Sequence, residues 1–252
     1  MDRIEVKILN PSVIAEAEQM MVFAARLTQK SHAIQNMADL MCLYMKEYTE
    51  NTVINLTALP HPTMQKFATI NVAVVGASRR FLAQITRHQN EVKFMSSSLQ
   101  YSNYSGKASF VVPYEIIGTD KEAGYLAQCE ASMQKYMSLI TSGIGNDDAG
   151  YIAPQALRGV LLIGATPYQW KHMIHQRTCR RNSPETRYVM LRIWQALYKE
   201  SPQLFSKCGP FCMTPGVMGG LCEEGSMSCG NPLSPYMNPS DVLSLDFPNL
   251  CG

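Results

Sequence analysis

Apolar residues recur at the three-to-four-residue spacing of helices with one buried face over most of this chain. Helices are predicted over residues 13–27, 34–48, 78–88, 120–140, 154–160, 167–178 and 184–201. Alternation of apolar and polar side chains over residues 4–9 predicts a strand. The apolar runs at residues 67–75, 109–113 and 161–163 predict further strands or short buried segments. We therefore expect an α+β fold with a mixed or antiparallel sheet flanked by helices.

The clearest helix start lies at Ser183-Pro184-Glu185, which combines a capping residue, a first-position proline and an acid near the positive helix end. From Cys208 onward Gly, Pro, Cys and Ser dominate, and the helical spacing is lost. We expect a main domain over residues 1–205 and a Cys/Gly/Pro-rich C-terminal extension over 206–252.

Composition narrows the class of protein. The 252 residues are 46% hydrophobic and 17% charged, which suits one domain with a substantial core. A formal net charge of +2 argues against nucleic acid as the main partner, and no apolar run reaches the length of a membrane span. Because the first residues alternate like a strand and do not resemble a signal peptide, we expect a cytoplasmic protein.

Four of the eight cysteines lie close together in the extension. In a reducing compartment, cysteines are thiols or metal ligands more often than disulfides. The set Cys208, Cys212, Cys222 and Cys229 could supply the four donors of a structural zinc site. The spacing is looser than in usual zinc pairs, so free thiols stay an equal alternative.

Arginines cluster around residues 79–87, at 158 and around 177–187. A forked guanidinium binds phosphate through paired hydrogen bonds, so several of them could converge on one phosphate. The alternative is that they form surface ion pairs. A lone histidine is usually structural, and His172 and His175 have no carboxylate at ligand spacing. No phosphate-binding loop of the nucleoside-triphosphate type and no Gly-rich dinucleotide fingerprint is present.

Several short motifs follow one another in an order that resembles the flavin-dependent thymidylate synthase family. They are His61-Pro62-Thr63, Ser78-Arg79, Gln84-Ile85-Thr86-Arg87-His88-Gln89, Ser98-Leu99-Gln100-Tyr101, Leu157-Arg158 and Arg177. Order and approximate spacing agree from Thr28 to Arg187, about two-thirds of the chain. Each motif alone is weak, and it is their shared order that makes the resemblance specific.

The resemblance implies a thymidylate-synthase-complementing-protein-like fold, a homotetramer with shared sites, and methylation of dUMP to dTMP. It implies FAD as hydride carrier, with NADPH and methylenetetrahydrofolate as co-substrates. By position, the residues at the reaction would be Arg87, Ser98 and His61. The residues facing dUMP would be Gln84, Arg87, Ser98, Gln100, Arg158 and Arg177. The residues facing the flavin would be Thr28, His61, Thr63, Arg87, His88, Gln89 and His172.

Two glutamines depart from the pattern of that family. Gln89 and Gln100 stand where the family carries arginines, so two expected cations are missing. An amide in place of a guanidinium weakens anion binding. Two alternatives therefore stay open: a related one-carbon transfer, such as hydroxymethylation, to another pyrimidine nucleotide, and a non-catalytic nucleotide-binding relative.

Overall fold

A four-stranded antiparallel sheet lies at the centre of the fold. The computed structural model describes residues 1, 3–59, 61–213, 222 and 224–250. Its strands are β1 (Glu5–Ile8), β2 (Ile70–Ser78), β3 (Lys93–Ser96) and β4 (Arg158–Ala165). They lie in the order β1-β2-β4-β3, and every neighbouring pair is antiparallel. The predicted α+β class with an antiparallel sheet is confirmed.

Helices surround this sheet. They are α1 (Ser12–Lys30), α2 (Met37–Tyr44), α3 (Glu50–Thr57), α4 (Arg79–Ile85), α5 (Glu122–Thr141), α6 (Asn146–Gly150), α7 (Pro167–Arg177), α8 (Pro184–Glu200), α9 (Pro202–Phe205) and α10 (Pro239–Asp246). None of the helices in the described ranges is long and apolar enough to cross a membrane.

The two faces of the sheet have different surroundings. Val72, Val74, Leu161 and Ile163 are buried against the helices, as period-two alternation requires for an inward face.

A bulge interrupts β2 at Gly76, which has a φ of +84° and is paired with no residue of β4. A Cβ at this position would lie 2.5 Å from the carbonyl oxygen of Arg3, so glycine is required there.

Helix α8 forms much of the core. Nine of its residues are buried, among them Tyr188 and Trp194, and the helix contacts β1, β2, α7 and α10. Trp194 donates from Nε1 to the carbonyl oxygen of Phe205 at 3.1 Å, so its one polar atom is satisfied inside the core. The start of α8 at Pro184 confirms the prediction made from Ser183-Pro184-Glu185.

Some predicted elements were wrong. The helix predicted over 154–160 is a turn followed by β4, because Leu161–Ile163 forms the middle of a strand paired on both sides. The helix predicted over 34–48 ends at Tyr44, and α3 was missed. Strand β3 was also missed, since it is only four residues long and is stabilised by pairing with β4.

The C-terminal extension packs against the main domain and is not wholly loop. Helix α10, which the loss of helical spacing did not predict, begins with a capping box between Asn238 and Asp241. Val242, Leu243 and Phe247 are buried in the same core as α8. The extension therefore forms part of the surroundings of any site near the start of α8.

Candidate functional site

A cavity of about 990 Å³ lies between three segments of the chain. They are the turn after α4, the helix α7 with the loop that follows it, and the described part of the extension between Pro210 and Leu233. Cavities that bind small molecules have volumes of roughly 300–1,000 Å³, so this one is large enough for a nucleotide. Arginine, histidine and cysteine side chains together line it.

Arg87 and Arg177 bring two positive charges to the same wall of the cavity. Arg177 donates from Nε to Nε2 of His88 at 2.7 Å and from Nη1 to Oδ1 of Asn182 at 3.3 Å. Burial, and then the nearby charge of Arg87, lower the pKa of Arg177. Burial, and then the charges of Arg177, His172 and Arg87, lower the pKa of His88 to about 4. His88 is therefore neutral at neutral pH and can accept the hydrogen bond that orients Arg177.

Neither of these guanidinium groups meets a carboxylate within the part of the chain that the structure describes. The other arginines of the same region differ. Arg180 and Arg187 both pair with Asp246, and Arg181 pairs with Glu224. Two neighbouring cations without a carboxylate favour a bound anion, because such an anion removes their mutual repulsion. Arg87 and Arg177 therefore form the candidate anion-binding pair.

Hydrogen bonds hold the Arg87 turn against the start of α8. The backbone N–H and Oγ of Ser78 donate to the carboxylate of Glu185 at 2.7 and 2.6 Å. Gln84 accepts at Oε1 from the hydroxyls of Ser183 and Thr186 at 2.9 and 2.5 Å. Because these bonds join both ends of α4 to α8, they fix the position from which Arg87 and His88 enter the cavity.

The structure brings about half of the sequence-predicted site residues together. Those that line the cavity are Arg87, His88, Gln89, His172, Arg177, Cys212, Cys222 and Cys229. Those that do not line it are Thr28, His61, Thr63, Gln84, Ser98, Gln100, Arg158 and Cys208.

Several of the remaining predicted residues have identifiable local contacts. Arg158 donates from Nε to the carbonyl oxygen of Phe110 at 2.9 Å and from Nη1 to that of Gly76 at 2.8 Å. The Oγ of Ser98 accepts from the backbone N–H of Gln100 at 3.0 Å. Arg158 thus binds backbone at the β2 bulge, and Ser98 caps a turn.

His61 and Thr63 lie on the exposed surface around the short 3₁₀ turn Pro62–Gln65. Thr28 donates from Oγ1 to the carbonyl oxygen of Ala25 at 2.8 Å, within α1. None of these side chains contacts the arginine pair in the described chain.

The cysteines separate into two groups. Cys208 is buried beside Lys171, burial raises its pKa to about 12, and it does not line the cavity. Cys212, Cys222 and Cys229 line the cavity together with Cys179 from the loop after α7. As the side chains stand, no three His, Cys, Asp or Glu residues of the described ranges are close enough together to hold a single metal ion.

Motif reasoning missed several side chains that line the cavity. Gln169, His175, Asn182 and Phe211 all line it. Gln169, in the first turn of α7, donates from Nε2 to Oε2 of Glu91 at 3.1 Å, and His175 stacks on Phe211. Since α7 presents Gln169 and His175 at helical spacing, its polar side was the available signal.

The geometry supports binding of an anionic ligand with polar and aromatic groups around it. The class of protein then follows from comparison with known proteins. Residues 12–203 match the family model described as thymidylate synthase complementing protein. Because this match spans well over half of the chain, the chain belongs to that family and is an enzyme of the thymidylate-synthase-like methyltransferase class.

Curated relatives agree with this membership. The chain is 25% identical over 177 residues to a flavin-dependent thymidylate synthase of Geobacter sulfurreducens, covering 69% of this chain and 74% of that protein. It is 23% identical over 233 residues to one of Clostridium tetani, covering 84% of this chain and 88% of that protein. The resemblance read from the motifs is confirmed, and the low identities fit a divergent member.

Solved structures share the fold. Thymidylate synthase X of Helicobacter pylori, solved with FAD and dUMP, superposes with a TM-score of 0.60 at 15% identity, covering 80% of this chain and 97% of that one. The UMP/dUMP methylase PolB of Streptomyces cacaoi, solved with 5-Br dUMP, superposes with a TM-score of 0.61 at 15% identity, covering 81% and 94%. At such identity the likeness establishes the fold alone.

Proposed function

We propose that this protein methylates dUMP to dTMP, with methylenetetrahydrofolate as one-carbon donor, reduced FAD as hydride source and NADPH as the reductant of the flavin. The observation that carries the proposal is the Arg87–Arg177 pair, which faces the cavity without a carboxylate in the described chain. A nucleotide phosphate supplies the missing negative charge. The hydrogen bond to His88 keeps the Arg177 guanidinium in one orientation, which reduces the conformational entropy lost when the phosphate binds.

The residues around the cavity fit a flavin as well as a nucleotide. His172 and Gln89 offer polar groups for a flavin beside the arginine pair. When bound, FAD supplies the hydride that a one-carbon unit needs to become a methyl group. This chain would bind the pyrimidine and hold it close to the donor, and proximity of this kind contributes much of an enzymatic rate.

We further propose a homotetramer in which neighbouring subunits complete each site. One face of the sheet exposes Val75, Met95, Val160 and Leu162, which are between 38% and 72% accessible. Cross-strand pairing of Val75 with Val160 and of Met95 with Leu162 makes them one continuous apolar surface. An apolar sheet face of this kind normally packs against another surface.

Shared sites would also account for the predicted residues outside the cavity. His61, Thr63 and Gln100 are exposed, so they are free to reach a ligand held by a neighbouring subunit. In this proposal, His61 and Thr63 contact the flavin and Ser98 with Gln100 contacts the pyrimidine. Thr28, Gln84 and Arg158 instead bond within the subunit, to Ala25, to Ser183 at the start of α8 and to the carbonyl oxygen of Gly76.

The decisive experiment is mass analysis of the product. The protein is incubated with dUMP, methylenetetrahydrofolate, FAD and NADPH, and the nucleotide is recovered. We expect dTMP. A product heavier by one oxygen atom would establish hydroxymethylation instead, and unchanged dUMP with no flavin absorbance retained by the protein would support a non-catalytic relative.

Binding of dUMP tests the arginine pair separately. Arg177→Lys keeps the charge but loses the Nε bond to His88, so we expect the dissociation constant for dUMP to rise about 10- to 100-fold. Arg192→Lys is the matched control, because Arg192 bonds Tyr188 on α8 and does not line the cavity. Equal affinity in both variants, measured by calorimetry, would remove Arg177 from the binding site.

A further inference from the structure

The C-terminal extension supplies one wall of the cavity. The match to the family model ends at residue 203, yet described residues between positions 210 and 233 line the cavity. Two contacts hold this part of the extension against the loop after α7. Arg180 donates from Nη1 to the carbonyl oxygen of Asn231 at 2.7 Å, and Arg181 pairs with Glu224. The wall therefore lies outside the part of the chain that the family model covers.

Phe211 is an aromatic residue of that wall, and its backbone is fixed on both sides. Gly209 turns against Trp194 with a φ of +114°, where a Cβ would lie 3.1 Å from the indole ring. Met213 is buried, and its backbone N–H closes a short 3₁₀ turn by donating to the carbonyl oxygen of Pro210 at 2.8 Å. Among the described residues the hydrophobic core includes Met213 but not Phe211, which is half-buried and lines the cavity. The neighbours of Phe211 thus fix its position and leave its ring at the cavity.

His175 of α7 orients the ring of Phe211. The two rings stack with centroids 5.3 Å apart and planes 16° from parallel. Nδ1 of His175 lies 2.6 Å from the carbonyl oxygen of Gly209, and because a carbonyl only accepts, this nitrogen carries the proton. Burial lowers the pKa of His175, so its imidazole is neutral at neutral pH. Helix α7 and the extension together therefore present an uncharged aromatic pair to the cavity.

We infer that Phe211 stacks on the pyrimidine ring of the nucleotide whose phosphate Arg87 and Arg177 bind, an inference that rests on the proposed function. His175 and Arg177 both line the cavity from the last turn of α7, about 3 Å apart along the helix axis. A ring against the His175–Phe211 pair is therefore near a phosphate at Arg177. The base of a mononucleotide is joined to its phosphate through one sugar, whereas an extended ribityl chain separates the flavin ring of FAD from its diphosphate. The short span favours the base.

The test compares dUMP with 2-deoxyribose 5-phosphate, which has the phosphate and the sugar but no base. Phe211→Leu removes the aromatic ring and keeps an apolar side chain. We expect its dissociation constant for dUMP, measured by calorimetry, to rise about 5- to 100-fold, while that for the sugar phosphate stays within about twofold of the parent value. Phe211→Tyr keeps the ring and should bind dUMP as the parent protein does.

Phe23→Leu is the matched control. Phe23 is half-buried and packs edge-on against Tyr44 with ring centroids 5.3 Å apart, but it does not line the cavity. Its variant should bind both ligands with the affinity of the parent protein. Thermal unfolding checks that each variant is folded.

The two ligands separate failure of the stacking from failure of the proposed function. If the parent protein binds neither ligand, the arginine pair is not a phosphate site and the role of Phe211 is wrong with it. If the parent protein binds dUMP and Phe211→Leu binds it equally well, only the role of Phe211 is wrong. Equal weakening toward dUMP and the sugar phosphate, or weaker binding of FAD with unchanged binding of dUMP, also overturns the stacking.

Fluorescence gives a second readout that a purely structural role would not change. Trp170 and Trp194 are buried in the core, so Phe211→Trp adds an emission from the cavity. We expect dUMP to quench this added emission and 2-deoxyribose 5-phosphate to leave it unchanged, because only the base can stack on the ring. An added emission that saturating dUMP does not quench would overturn the inference.

Discussion

Asp246 of the extension pairs with two arginines near the start of α8. Its carboxylate accepts from Nη2 and Nε of Arg180 at 2.6 and 3.1 Å and also pairs with Arg187. The side chains are only 8% exposed for Asp246, 10% for Arg187 and 15% for Arg180, so all three charges are largely removed from water. One carboxylate thus compensates two guanidinium groups.

Asp246→Asn removes the negative charge while keeping the shape of the side chain. The two arginines then stay buried and repel each other, and breaking a buried ion pair in this way costs about 3–5 kcal/mol of unfolding free energy. For a chain of this size each kcal/mol corresponds to roughly 2–4 °C, so the melting temperature should fall by about 6–20 °C.

Glu224→Gln is the matched control, because it neutralises a carboxylate paired with Arg181 in an exposed position. The side chain of Glu224 is 48% accessible and that of Arg181 is 34% accessible. Such exposed pairs contribute about 0–1 kcal/mol to the unfolding free energy. Both variants are unfolded in urea and by heat at one protein concentration, since subunit association also shifts stability. If Asp246→Asn lies within about 1 kcal/mol of Glu224→Gln, the reasoning from burial is wrong.

Three further predictions concern single positions. Because the pKa of His88 is lowered to about 4 from 6.5, the folded state binds fewer protons between these values, and stability should fall as pH falls through this window. In His88→Gln the unfolding free energy, measured in urea, should fall less between pH 6.5 and 4. If it depends on pH as steeply as in the parent protein, the assignment to His88 is wrong. Gly76→Ala should destabilise by about 1–3 kcal/mol, since its φ is +84° and the new Cβ would meet the Arg3 carbonyl. Gly124→Ala is the control, because this glycine lies on α5 with open space around it, and the change should stabilise the protein by about 0.5–1 kcal/mol. If both variants change the unfolding free energy equally, Gly76 is not strained. Val160→Lys should reduce the oligomer measured by light scattering, whereas Leu245→Lys, an exposed apolar position outside the sheet, should not.

Local sequence predicted correctly those helices whose ends are set by residues of the same segment. The start of α8 was predicted from Ser183-Pro184-Glu185, because a cap, a first-position proline and an early acid act within a single turn. The long helix over Glu122–Thr141 was predicted for the same kind of reason, from its spacing and the glycines that follow. The turn over 154–157 was predicted as helix, because pairing of the following strand with β2 and β3 is not visible in local spacing.

The candidate site was only half predictable. Arg87, His88 and Arg177 were expected from motifs and do line one cavity. Arg158 was expected beside them, yet its guanidinium binds the carbonyl oxygens of Phe110 and Gly76. The same residue type can bind phosphate or backbone, and the choice depends on which acceptors the fold places within reach.

The sequence by itself determined the family, through the order of its short motifs, and it determined the class of fold through the spacing of its apolar residues. Only the tertiary structure decided which arginines lack a carboxylate partner among the described residues and which cysteines line the same cavity. Asp246 neutralises Arg180 and Arg187 from 59 or more residues away and leaves Arg87 and Arg177 to attract an anion. Likewise Cys179 and Cys212 line one cavity, while Cys208 is buried in the core. The physical reason is that charge compensation and the lining of a cavity depend on distance in space, which spacing along the chain does not specify.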